Sequence, residues 1–131
     1  MAAAIPEDVR LLIQRYIDSI EQLEILLLLH ASSREQWTPD SVSRALYSTP
    51  SSTGRRLKTL HGQGFLGLDD SSSPPTYSYQ PASTELDATV ARLAETYRER
   101  RVAVVSLVAS KPMDNVRAFS DAFRIRKKDG D

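Results

Sequence analysis

Apolar positions recur at helical spacing near the start of the chain. Val9, Leu12, Ile13, Tyr16 and Ile17 follow Pro6, which suits the first position of a helix. Ile20, Leu23 and Leu27 continue the stripe in phase, so residues 6–30 form either one long helix or two. Ser19 with Gln22 three residues later fits a capping box and favours a break. From Ile25 to Leu29 every face is apolar, and such a turn has to be buried on all sides. After a polar loop and Trp37, Thr38-Pro39-Asp40 reads as an N-cap, a first-position proline and an acid at the positive helix end. Val42, Ala45 and Leu46 form the apolar face of this short helix. Ser48-Thr49-Pro50 stops it, because the residue before a proline avoids the α region. A second short helix runs from about Pro50 to Gln63 and ends at Gly62-Gln63-Gly64. Phe65-Leu66-Gly67-Leu68 starts a strand, Asp69 to Pro75 is a turn-rich loop, and Thr76-Tyr77-Ser78-Tyr79-Gln80 alternates as the returning strand of a hairpin. Thr84 with Asp87 marks a capping box for a long helix reaching about Lys111, where Pro112 breaks it. A last amphipathic segment carries Met113, Val116, Phe119 and Phe123 and ends in the basic group Arg124, Arg126, Lys127 and Lys128.

The order helix, short strand at Trp37, helix, tight turn, helix and hairpin is that of a winged helix-turn-helix. Thr38-Pro39-Asp40-Ser41-Val42-Ser43-Arg44-Ala45-Leu46, then Ser51-Ser52-Thr53-Gly54-Arg55-Arg56-Leu57-Lys58-Thr59-Leu60, and the entry Gly64-Phe65-Leu66 into the wing carry the pattern. Over roughly residues 20–81 the chain resembles the bacterial winged-helix transcription regulators of the MarR and PadR kind. The resemblance implies a mainly α fold, a winged helix-turn-helix with a small β-hairpin wing and flanking dimerisation helices. It divides the chain into an N-terminal supporting helix (1–19), the winged helix-turn-helix domain (20–83) and a long helix with a C-terminal helix (84–131). Winged helices also serve as protein-binding modules, so the fold alone does not fix the function.

At about 100° per residue, Thr53, Leu57, Leu60 and Gly64 share one side of the second short helix. Ser51, Ser52, Arg55, Lys58 and Thr59 lie opposite. In a recognition helix that polar side faces the major groove of double-stranded DNA, where Arg55 has the donors for a guanine edge. Arg56 lies on the flank and is placed for a phosphate. A plain surface helix is also polar on one side, so the pattern by itself does not prove DNA contact. Residues 48–83 hold Arg55, Arg56 and Lys58 against Asp69 and Asp70, one net positive charge. The wing tip offers acids, serines and prolines, which makes the counterion-release contribution small and leaves affinity to dimerisation or a few base contacts.

Leu86, Val90, Leu93, Tyr97, Val104 and Val108 form one stripe on the long helix, which at about 1.5 Å per residue would extend about 42 Å. Val102 and Val105 add a second apolar face. A partner chain is expected to cover them, with Val9, Leu12, Ile13 and Tyr16 of the first helix joining the interface of a homodimer.

Composition narrows the alternatives. Lys plus Arg and Asp plus Glu each number 17 in 131 residues, so no bulk positive charge holds the chain to nucleic acid. Cysteine is absent, which removes disulfides, thiolate metal sites and cysteine nucleophiles. His30, expected as a helix C-terminal cap, and His61 have no carboxylate at metal-ligand spacing, and neither lies in a nucleophile or phosphate-loop motif. No catalytic residue, metal or cofactor is expected. The longest apolar run, Ile25 to Leu29, is too short for a membrane span. The opening Met-Ala-Ala-Ala-Ile-Pro-Glu-Asp does not have the form of a signal peptide, so the expected location is the cytoplasm. The reading is a homodimeric DNA-binding transcription regulator. Its competitor is a winged-helix protein–protein adaptor without strong DNA binding. An effector pocket between the winged helix and the flanking helices fits the first reading, but no residue cluster identifies a ligand.

Overall fold

The computed structural model describes residues 5–110. Six helices and one hairpin follow in the order α1 (Glu7–Tyr16), α2 (Ile20–Ala31), α3 (Pro39–Leu46), α4 (Pro50–Gly62), β1 (Leu66–Asp69), β2 (Thr76–Tyr79), α5 (Thr84–Glu99) and α6 (Arg101–Ser110). The fold is mainly α, as expected. Lys111, Pro112 and the segment with Met113, Val116, Phe119, Phe123 and the basic group Arg124, Arg126, Lys127 and Lys128 lie outside the described residues.

Residues 6–30 form two helices. Ser19 caps α2 by accepting from the Gln22 N–H at 3.1 Å, but the reciprocal half of the box is not made. The Gln22 amide turns instead to the end of α1, where it donates to the Tyr16 carbonyl at 2.8 Å. α2 is the central element, packed against α3, α4, α5, α6 and β2. That position is why its apolar run must face every direction: Leu23, Ile25, Leu26 and Leu29 are fully buried, and Leu27 and Leu28 pack against the same core. β1 and β2 pair antiparallel, with Leu66 opposite Tyr79 and Asp69 opposite Thr76. Trp37, in the place expected for a short strand, makes only an isolated antiparallel bridge to β2, exchanging 2.7 Å main-chain bonds with Tyr77 in both directions. Gly64 makes the turn from α4 into the hairpin at φ 94°, a conformation open to glycine, and an added Cβ there would meet the Ala82 Cβ at 3.3 Å.

The long helix expected from Thr84 to Lys111 is two helices. The cap is Ser83, one residue earlier than expected, and it accepts from the Leu86 N–H at 3.0 Å. Arg100, at φ −135° and ψ 51°, interrupts the helix after Glu99. The break lets α6 turn back onto α1 and α2, where Val104 and Val108 enter the core. The length of the segment therefore does not require a partner chain to cover its stripe. Val9, Leu12, Ile13, Val90, Leu93, Val104 and Val108 are buried within the single chain, and Tyr16, Leu86 and Tyr97 pack against the same cluster. No helix among the described residues is long and apolar enough to cross a membrane.

Candidate nucleic-acid interface

The two helices of the helix-turn-helix owe their start points to local cap chemistry. Thr38 and Ser41 exchange side-chain and main-chain bonds at 2.9 and 3.0 Å, a complete capping box at the start of α3. α3 ends at Tyr47 in the left-handed conformation, with the Ser48 N–H donating to the Ser43 carbonyl at 2.9 Å. Thr49 caps α4 by accepting from the Ser52 N–H at 3.2 Å, and Pro50 takes the first position. The buried Thr53 hydroxyl donates to the Pro39 carbonyl at 2.8 Å and pins α4 across the start of α3.

This packing sorts the six candidate DNA-contacting residues into two groups. Ser51, Arg55, Lys58 and Thr59 are exposed on α4, opposite the buried Thr53, Leu57 and Leu60. Ser52 and Arg56 turn toward α2 instead. The Ser52 hydroxyl donates to one Glu21 oxygen at 2.5 Å, the Ser48 hydroxyl donates to the other at 2.5 Å, and Arg56 Nε lies 3.5 Å from the first. Burial pushes the Glu21 carboxyl up, but the two hydroxyls and the guanidinium outweigh it and hold its pKa below the ordinary carboxylate range. Glu21 thus fastens the turn and the first half of α4 to α2. Gln22, next in sequence and fully buried, acts at the other end of α4: its amide lies 3.3 Å from the Gln63 side-chain oxygen, and the Gln63 amide also donates to the Tyr16 carbonyl. Sequence reasoning missed both anchors. Glu21 had no signal beyond an acid in a first turn, and Gln22 was read only as a cap partner.

Beside α4 and the wing lies a cleft of about 340 Å³, lined by Ser51, Gly54, Arg55, Lys58, Pro74, Pro75 and Tyr77. The wing brings no cation to it. Asp69 accepts from the Ser71 N–H at 3.0 Å and its hydroxyl at 2.6 Å, which keeps this exposed carboxyl below its usual pKa. The histidines take structural places. His30 meets the Tyr79 ring edge-on with centroids 5.0 Å apart, and Ser32 takes the C-cap position expected for it. His61 Nδ1 lies 2.9 Å from the Leu66 carbonyl oxygen. Among the described residues no group of His, Asp or Glu is arranged to hold a metal.

A three-helix core with a helix-turn-helix and a two-stranded wing defines a winged-helix protein. Among solved structures, the chain shares its fold with MepR, a transcription regulator of the Staphylococcus aureus multidrug efflux pump MepA, at TM-score 0.54 and 14% identity over 93% of this chain and 86% of that one. A mutant of ZitR from Lactococcus lactis aligns at TM-score 0.47 and 18% identity, covering 85% of this chain and 74% of that one. The heme sensor PefR from Streptococcus agalactiae, in complex with heme, aligns at TM-score 0.48 and 14% identity, covering 83% and 72%. No protein-family model matches the sequence, and no curated protein matches it.

Proposed function

We propose that the chain is a DNA-binding transcription regulator that acts as a homodimer, with α4 entering the major groove of double-stranded DNA. The observation that carries this reading is the outward face of α4. Arg55 and Lys58 are exposed there beside Ser51 and Thr59, and no ion pair holds either cation among the described residues. Cations left unpaired on the second helix of a helix-turn-helix are placed for base edges and phosphates. The fold shared with a transcription regulator supports the same conclusion. Arg55, near the centre of the face, is assigned to a base edge, and Lys58 to a phosphate. Ser52 and Arg56 serve through Glu21, by holding α4 in place. Two copies double a contact set that is small in one.

Titration of the full chain with random-sequence duplex DNA at several salt concentrations tests the reading. Affinity should fall as salt rises, and Lys58→Ala should reduce that slope by about one. Arg55→Ala should leave the melting temperature nearly unchanged and cost about 1–3 kcal/mol on a selected site. The acids at the wing tip favour one rival, the protein-binding adaptor. Absence of any salt-dependent binding would decide for it.

A further inference from the structure

Tyr47 is the only residue besides glycine with a positive φ among the described residues, at φ 56° and ψ 45°. Its main chain explains why. The N–H groups of Tyr47 and Ser48 both donate to the Ser43 carbonyl and close the end of α3, a left-handed cap that glycine ordinarily supplies. A bulky side chain is disfavoured in this conformation. Packing does not compensate, because Tyr47 is 96% exposed, more than Val102 at 79%. The fold uses the backbone at this position and leaves the ring in solvent.

The place of that ring points to a partner. Tyr47 sits between the two helices of the helix-turn-helix, two residues before the cap of α4 and four before Ser51 on its exposed face. When such a motif docks, the N-terminal residues of the second helix meet base edges while the first helix crosses the backbone. The turn between them falls at the rim of the groove. We infer that Tyr47 is a DNA-backbone contact, its phenolic O–H donating to a phosphate oxygen at the groove edge with the ring against the adjoining sugar. Tyrosine is among the side chains that make such bonds. Glu21, which meets the turn through Ser48, is also engaged by Ser52 and Arg56, and Asp40 at the start of α3 pairs with Arg44, so neither is an unpaired carboxylate opposing a phosphate. A neutral hydroxyl releases no counterion, so this contact adds affinity without adding to the salt slope, unlike Lys58.

The inference rests on the DNA-reading role of α4, and the experiment separates the two. The full chain and its Tyr47→Phe, Tyr47→Gly and Lys58→Ala variants are titrated against random-sequence duplex DNA at two salt concentrations, with a thermal melt of each. Tyr47→Phe should weaken binding about three- to tenfold with Tm and salt slope unchanged. Tyr47→Gly should weaken it at least as much while Tm holds or rises, because glycine adopts the left-handed conformation without strain. If both Tyr47 variants bind like the wild type while Lys58→Ala is weakened, the Tyr47 contact is overturned and the role of α4 stands. A marked fall in Tm for Tyr47→Gly would show that the ring serves the fold, and overturns the contact too. Wild-type protein without salt-dependent binding overturns both readings.

Discussion

Glu21 joins two hydroxyls and a guanidinium from the turn and α4 to α2, an element outside the helix-turn-helix pair. Its side chain is 22% exposed and that of Arg56 31%, so the pair is screened less than a fully solvated one. Glu21→Gln keeps the shape and removes the charge, and should lower stability by about 1 kcal/mol at neutral pH. The sign of the pH dependence follows from the depressed folded pKa. The stabilisation is complete above the ordinary carboxylate value of 4.5 and is lost as pH falls through the lower folded value. Denaturation of wild type and variant across that range should give curves that converge in acid, where protonated glutamate resembles glutamine. Comparing the two proteins cancels Asp8, whose pKa is also lowered, chiefly by its bond from Arg92. A difference that persists undiminished at low pH would mean that Glu21 stabilises through packing and not through charge.

The helices differ in how far their sequence declares them. α3 and α4 start where Thr38-Pro39 and Thr49-Pro50 place them, because a cap and a first-position proline act within four residues. The break at Arg100 has no such local cause: Glu99-Arg100-Arg101 holds no glycine or proline, and the interruption follows from packing α6 onto α1 and α2. The helical wheel of α4 separated the buried Thr53, Leu57 and Leu60 from the exposed Ser51, Arg55, Lys58 and Thr59 correctly, but it placed Ser52 on the outward side. It had no means of showing that Ser52 and Arg56 meet a carboxylate more than 30 residues earlier, since that contact depends on tertiary assembly. Gly54 tests the packing of this element. A Cβ added there would lie 3.7 Å from Pro39 Cβ and Cγ, an ordinary contact, so nothing in α3 requires glycine. Gly54→Ala should raise stability in urea by about 0.5–1 kcal/mol through helix propensity. A loss would show that α3 and α4 pack too tightly for a methyl group.

At the scale of the molecule, the apolar stripe of α5 and α6 closes the core of one chain and leaves a separate apolar surface of α6 exposed. α6, Arg-Val-Ala-Val-Val-Ser-Leu-Val-Ala-Ser, is apolar on most of its circumference, yet only part of it is covered. Val104 is fully buried, whereas Val102, two residues earlier, is 79% exposed, and Leu11 on the neighbouring α1 is 53% exposed. The proposed homodimer is assigned to the exposed face of α6 that carries Val102, and the inner stripe to the fold. The two valines separate the roles. Val104→Asp places an unpaired charge in the core and should cost about 3–5 kcal/mol, enough to unfold much of the chain. Val102→Asp adds a charge that the isolated chain leaves in solvent, so its circular dichroism and monomer fold should match the wild type. In a dimer closed over α6 the same charge would be desolvated, and sedimentation velocity should show folded monomer where the wild type sediments as dimer. DNA affinity should fall with it, because each half-site then binds with one helix alone. A Val102→Asp protein that remains dimeric places the interface elsewhere, and a wild type that sediments as monomer removes the homodimer from the proposal.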